Sequence, residues 1–73
     1  MASPIINIIS NSNFESRKTT KRLIQKLKQH HFTPTTTLSP KAELTITVGG
    51  DGAFIKAVNR MNFSSTPIVG INT

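Results

Sequence analysis

Residues 44–57 read Leu-Thr-Ile-Thr-Val-Gly-Gly-Asp-Gly-Ala-Phe-Ile-Lys-Ala, and this stretch decides the fold. Apolar residues alternate with polar ones before the glycines, at Ala42, Leu44, Ile46 and Val48. Such alternation of period two predicts a β-strand. After the glycines, apolar residues recur at helical spacing, at Ala53, Phe54, Ala57, Val58 and Met61. The stretch therefore predicts a strand, a tight turn and a helix of about three turns.

The residues before this stretch predict another strand and helix. Residues 4–10 are rich in β-branched side chains and are bounded by turn-forming residues, which indicates a buried strand. No Gly or Pro interrupts the chain from about Glu15 to His31, where Asn13 or Ser16 is expected to cap a helix. One face of that helix carries Thr20, Leu23, Ile24, Leu27 and His31.

Two further segments complete the predicted order of elements. Residues 32–40 contain two prolines and several threonines, which favours an extended connection or a short edge strand. Residues 67–71 predict a buried strand. The order predicts an α/β fold with a three- to four-stranded, mostly parallel sheet, two helices and right-handed crossovers. Two helices hardly cover both faces of such a sheet, so we expect further sequence or a partner to complete the cover.

Composition limits the classes of protein to consider. The 73 residues include no Cys, which excludes disulfides and thiolate metal sites. The longest apolar run is too short to span a bilayer, and Ala2 excludes N-myristoylation. We therefore expect a soluble protein, without a membrane partner.

The charge is strongly positive and local. Nine Lys and Arg against three Asp and Glu give a net charge of +6, and six of the nine fall within residues 17–28. Such a field attracts phosphates, but the simpler interpretation is the solvated side of an amphipathic helix. His30 and His31 are adjacent, so they cannot share a metal ion as a pair four residues apart does. We expect one surface histidine and one half-buried histidine.

Residues 49–52, Gly-Gly-Asp-Gly, stand where ligands bind in α/β proteins, between the end of a strand and the start of a helix. Glycines let the backbone approach a ligand closely, and the N–H groups of a helix start attract phosphate oxygens. Asp51 either caps the helix or serves chemistry, by binding Mg²⁺ or a substrate hydroxyl. The spacing matches neither the dinucleotide fingerprint nor the Walker loop.

Residues 44–57, followed by Pro-Ile-Val-Gly-Ile-Asn at residues 67–72, resemble the amino-terminal domain of NAD kinases. The resemblance is specific in this second half, and the first forty residues add a compatible strand and helix. It implies transfer of a phosphoryl group from ATP or polyphosphate to the 2′-hydroxyl of the adenosine ribose of NAD, giving NADP, with a divalent metal ion, expected to be Mg²⁺.

The resemblance also assigns roles to the residues of the turn. Asp51 aligns with the proton acceptor of the family. The positions expected to contact or line the NAD site are Gly49, Gly50, Asp51, Gly52, Phe54, Ile55 and Lys56. Ala53 stands where the family usually has Thr, which removes one hydroxyl and keeps the turn.

By the same resemblance, residues 1–73 would be a truncated amino-terminal α/β nucleotide-binding domain that lacks the β-rich second domain. We expect it to be inactive alone, and the full-length protein to be a cytoplasmic homo-oligomer. Lipid kinases and phosphofructokinases also use a Gly-Gly-Asp-Gly turn, but their neighbouring residues differ from those here. A basic nucleic-acid-binding module is a further alternative, opposed by the absence of Tyr and Trp for base stacking.

Overall fold

The computed structural model describes residues 3–60 and 66–72, and for Asp51 it describes the main chain alone. The elements are β1 (Ile5–Ser10), α1 (Phe14–Gln29), β2 (Thr33–Thr35), β3 (Leu44–Val48), α2 (Asp51–Arg60) and β4 (Ile68–Ile71). The four strands form one sheet in the order β2-β1-β3-β4, and all neighbouring strands are parallel. The predicted α/β architecture with two helices is confirmed, and the segment at residues 33–35 is an edge strand.

The two helices cover opposite faces of the sheet. Side chains of α1 pack against Ile8 and Val48, which point to one face. Phe54 of α2 lies near Gly70, whose register partner Thr47 points to the other face because successive residues of a strand alternate. From β1 the chain continues through α1 to one edge of the sheet, and from β3 it continues through α2 to the other edge.

The face under α1 holds the aliphatic core. Its buried residues are Ile6, Ile8, Ile46 and Val48, and the helix contributes Leu23, Ile24 and Leu27. Full burial of an Ile or Val side chain stabilises a fold by about 1.5–3 kcal/mol. This cluster is therefore the main source of stability among the described residues.

The face under α2 is buried and mostly polar. Asn7, Thr45 and Thr47 are buried there together with Ile9, and Ala53 and Ala57 of the helix are both 0 % exposed. The alternating pattern of β3 thus reports two different buried faces rather than one buried and one solvated face. The Asn7 side chain is used structurally, since its amide nitrogen donates to the Ser39 carbonyl at 3.1 Å and its oxygen accepts from the Ser39 N–H at 2.9 Å.

Helix α1 begins as predicted and ends earlier. The Asn13 side-chain oxygen accepts a hydrogen bond from the Ser16 N–H at 2.8 Å, so Asn13 is the cap. At the other end, the Phe32 N–H donates to the Leu27 carbonyl at 2.9 Å and His31 adopts a φ of 66°. This hydrogen bond and the left-handed residue before it form a Schellman turn, which removes His31 from the helix.

Three expectations about burial are wrong. Both His30 and His31 are exposed, because the Schellman turn leads the chain away from the core. Strand β4 is half-exposed instead of buried, with Val69 50 % exposed at the edge of the sheet. Among the α2 side chains that the structure describes, the two alanines are buried, while Phe54 and Val58 of the predicted apolar face are exposed. Met61 lies outside the described residues. Within the described ranges, no helix is long and apolar enough to cross a membrane.

Candidate functional site

The carboxyl ends of β1 and β3 mark the point where the strand order reverses. Ser10 and Val48 are register partners there, and the Asn11 N–H donates to the Val48 carbonyl at 3.0 Å. The chain leaves these two strands toward opposite edges of the sheet, and at their ends the Asn11 side chain lies against Gly49. Ligands of open α/β sheets bind at this kind of switch point.

Gly49 is required in the turn by both backbone and space. Its backbone φ of 137° lies in a region that residues other than glycine rarely adopt. A Cβ atom at this position would lie 2.4 Å from Nδ2 of Asn11. The Gly49 N–H donates to the Ile71 carbonyl at 2.9 Å, so the turn is also tied to the end of β4.

The rest of the turn is open. Gly50 and Gly52 are exposed, and a Cβ atom on either would meet no atom within 4 Å. The Ala53 N–H donates to the Gly50 carbonyl at 3.1 Å, which closes the first turn of α2. The first N–H groups of a helix lack partners within that helix and carry a partial positive charge. The two exposed glycines therefore place no side chain of their own between these N–H groups and a phosphate.

A cavity of about 210 Å³ lies on the β4 side of α2, and we name it the neutral cavity because none of its described lining side chains is charged. It is lined by Thr47, Gly49, Gly50, Phe54, Gly70, Ile71 and Asn72. A Cβ atom on Gly70 would lie 3.3 Å from Oγ1 of Thr47 and 3.8 Å from the Phe54 ring, so glycine at this position keeps the floor of the cavity low. An aromatic ring beside backbone groups suits a planar, partly polar ligand.

A second cavity, also of about 210 Å³, lies on the β1 side of α2. It is lined by Ile8, Ile9, Ser10, Thr36, Lys56 and Arg60, and we name it the Lys56–Arg60 cavity. Residues four apart share one side of a helix, which places both cations on this flank and Phe54 on the other. Helix α2 thus separates a neutral cavity from a cationic one.

The structure brings together some of the predicted site residues. Gly49, Gly50 and Phe54 line the neutral cavity, and Lys56 lines the cationic one. Ile55 is 59 % exposed and lines neither. Asp51 is the first residue of α2, the helix that separates the two cavities.

Sequence reasoning missed several lining residues. Thr47, Gly70 and Arg60 each line a cavity and were not predicted as site residues. The signal for Thr47 and Gly70 was available, because the carboxyl ends of parallel strands meet at one edge of a sheet. Whether Arg60 lines a cavity depends on how α2 is placed over β1, and this placement cannot be inferred from the local spacing of residues.

The chain is similar in sequence to curated proteins named NAD kinase. The chain is 45 % identical over 71 residues to the NAD kinase of Finegoldia magna, which covers 97 % of this chain and 26 % of that relative. It is 50 % identical over 32 residues to the NAD kinases of two strains of Bacteroides fragilis, over 44 % of this chain and 11 % of each relative. No family model and no solved structure matches. The resemblance inferred from residues 44–72 is confirmed, and the chain spans about a quarter of the length of the first relative.

Proposed function

We propose that this chain, a relative of NAD kinases, supplies the nucleotide-binding turn of an enzyme that phosphorylates NAD. The reaction transfers a phosphoryl group from ATP or polyphosphate to the 2′-hydroxyl of the adenosine ribose and yields NADP. The observation that carries the proposal is the open Gly-Gly-Asp-Gly turn at the switch point, with a cavity on each side of the helix that follows it.

The glycines are proposed to fix and expose the turn. Gly49 adopts a backbone conformation that other residues rarely adopt, which sets the direction of the chain into α2. Gly50 and Gly52 place no side chain between the backbone and a substrate. Phosphate oxygens would accept hydrogen bonds from the N–H groups at the start of α2, where the helix dipole adds to the attraction.

Asp51 is proposed to orient the ribose hydroxyl and to accept its proton. The hydroxyl oxygen forms a bond to the terminal phosphorus of the donor, the bond from that phosphorus to its bridging oxygen breaks, and the donor leaves shorter by one phosphoryl group. The proton of the hydroxyl passes to the Asp51 carboxylate late in the transfer. Because the transition state is loose, positioning contributes more than basicity.

The resemblance implies a divalent ion, expected to be Mg²⁺, and the turn offers one carboxylate that could help to hold it. When bound, it would neutralise charge on the transferring phosphates. Asp51 is one of three acidic residues in the chain and the one within the turn. The described residues contain no group of three or more His, Cys, Asp and Glu arranged to hold a metal. The donor set suits an ion held mainly by substrate phosphates.

The remaining features of the enzyme are proposals from the same resemblance. Since the chain spans 26 % of its Finegoldia relative, much of the NAD site would come from residues outside this stretch. A homo-oligomeric, cytoplasmic enzyme stays the expectation. The lipid kinase and phosphofructokinase alternatives share the glycine turn, but all three relatives described above are named NAD kinase.

The test is a substrate panel with the full-length protein. ATP or polyphosphate is combined with Mg²⁺ and with NAD, NADH, diacylglycerol, sphingosine or fructose 6-phosphate, and the products are identified by ³¹P NMR. We expect a phosphate monoester on the 2′ position of NAD. Phosphorylation of a lipid or sugar without NADP formation would contradict the proposal. Salt-sensitive binding to RNA or DNA without any kinase activity would favour the nucleic-acid-binding alternative.

A further inference from the structure

We propose that the Lys56–Arg60 cavity is a phosphate-binding subsite that takes a chain of two or more phosphate groups. Its place in the reaction rests on the proposed function. Two substrates of that reaction carry such a chain, namely the diphosphate of NAD and the phosphate chain of the donor. Arg60 and Thr36 are the residues that this subsite adds to those expected from the resemblance.

The charge of the cavity calls for an anion. Lys56 and Arg60 lie on the same flank of α2, and no acidic side chain that the structure describes lines the cavity with them. Neither cation makes an ion pair with a side chain described by the structure. Like charges four residues apart repel each other on a helix. A bound phosphate would replace this repulsion with two charge-assisted hydrogen bonds.

The cavity walls supply one further donor. Thr36 lines the cavity, and its hydroxyl makes no hydrogen bond to the described part of the chain. The Ser10 hydroxyl already donates to the Asn11 carbonyl at 2.8 Å, so it offers only its oxygen. We therefore assign the donor set to Lys56, Arg60 and Thr36.

Size and position both favour a chain of phosphates over a single ion. A volume of about 210 Å³ is well above what a single water molecule needs. Along the axis of α2, Lys56 lies about 7.5 Å and Arg60 about 13.5 Å beyond the first residue of the helix. A phosphate chain with its reacting end at the glycine turn would run along this flank past Lys56 toward Arg60.

The first experiment measures binding of inorganic tripolyphosphate to the full-length protein by titration calorimetry. Arg60→Gln and Lys56→Gln are compared with Arg22→Gln, which removes an exposed cation of α1 on the opposite face of the sheet. We expect about 10- to 100-fold weaker binding for each cavity variant, a smaller loss for Arg60→Lys, and a change below about twofold for Arg22→Gln. Equal affinity in wild type and both cavity variants would overturn the subsite, as would an equal loss in Arg22→Gln.

The second experiment identifies the source of the phosphates by steady-state kinetics. If Arg60→Gln raises the KM for the donor and leaves the KM for NAD unchanged, the subsite takes the donor chain. If it raises only the KM for NAD, the subsite takes the dinucleotide diphosphate. Unchanged values for both substrates would overturn its place in the reaction.

The two proposals fail separately. Wild-type protein that forms no NADP, yet loses tripolyphosphate affinity on Arg60→Gln, keeps the subsite and refutes the kinase. Wild-type protein that forms NADP with Arg60→Gln indistinguishable in binding and in both KM values keeps the kinase and refutes the subsite.

Discussion

Helices α1 and α2 cover opposite faces of the same sheet with different side chains. Helix α1 is 16 residues long, has a side-chain cap and packs leucine and isoleucine onto aliphatic strands. Helix α2 has 10 residues, begins at a glycine turn and buries two alanines over a face that holds two threonines, an asparagine and Ile9. Cavities flank α2, and the aliphatic core lies under α1. The difference teaches that stability and candidate function occupy separate faces of one small sheet.

The largest expected effect is a loss of activity from a substitution at the start of α2 that leaves the fold intact. In the full-length protein, Asp51→Asn removes the proposed proton acceptor and is expected to lower kcat for NADP formation by about 10²- to 10⁴-fold. NAD affinity and thermal stability should change little, because Asn also serves well at helix starts. The matched control is Glu43→Gln, an exposed carboxylate outside the turn. A kcat close to the wild-type value would refute the role of Asp51.

The next largest effect is a loss of stability from a substitution in the aliphatic core under α1. Ile8 is 1 % exposed in the aliphatic core, and Ile8→Ala is expected to lower the free energy of unfolding by about 2–5 kcal/mol. Urea unfolding of the full-length protein measures the loss. Ile55→Ala, at a site that is mostly exposed, serves as the control and should cost below about 1 kcal/mol. Comparable losses for the two variants would contradict the separation of the faces.

Gly49→Ala tests the turn that joins β3 to α2. The positive φ of Gly49 and the collision of an added Cβ atom with the Asn11 side chain predict a loss of about 1–3 kcal/mol in stability, together with a loss of activity. Gly50→Ala is the matched control, since a Cβ atom there meets nothing within 4 Å and its φ is ordinary. If thermal unfolding shows the two alanine variants to be equally stable, the strain assigned to Gly49 does not exist.

Phe54→Ala tests whether the ring in the wall of the neutral cavity serves binding rather than stability. Phe54 is 44 % exposed, so its truncation should lower stability by only about 1 kcal/mol, far less than truncation of a core phenylalanine. Removal of the ring from the cavity wall should raise the KM for NAD or for the donor with kcat changing less. Thermal unfolding and initial-rate kinetics give both numbers. Loss of stability on the scale of Ile8→Ala would show that Phe54 belongs to the core instead.

The smallest expected effect is a gain in stability at the end of α1. His31 adopts a left-handed conformation that is unfavourable for residues with a Cβ atom, so His31→Gly should raise the free energy of unfolding by about 0.5–1 kcal/mol. His30→Gly, one position earlier, has no such conformation to relieve and should not stabilise. Denaturant unfolding of the two variants decides between them, and a destabilised His31→Gly would contradict the Schellman turn.

Local signals were sufficient for most of the fold. Alternation before Gly49 predicted β3, the apolar run predicted β1, and Asn13 was one of two proposed caps. Long-range effects were not visible in the sequence. The role of Asn7 depends on Ser39, which is distant in the chain, and the half-exposure of Val69 depends on β4 lying at the edge of the sheet.

The candidate site divides in the same way. The glycine turn was predicted as a site because of its place between a strand and a helix and because residues 44–57 resemble NAD kinases. The cationic cavity was not predicted, because it requires Arg60 and Thr36 to meet across α2 and the loop after β2. Lys56 was expected from the resemblance. The residues that line the cavity with it depend on how α2 packs on the sheet through Ala53 and Ala57.

The parallel pairing of the strands has a consequence for how the chain reaches this structure. Ile5 pairs with Thr33, Ile6 with Leu44, and Thr45 with Ile68, so each pairing waits for a distant segment. Contacts between residues far apart in sequence slow the search for the native state, because the entropy of closing the intervening chain is lost first. During synthesis, β1 emerges from the ribosome long before its central neighbour β3. Its isoleucines stay without their native strand neighbours during that interval, and α1, which follows β1 directly in the chain, is the first element able to cover them.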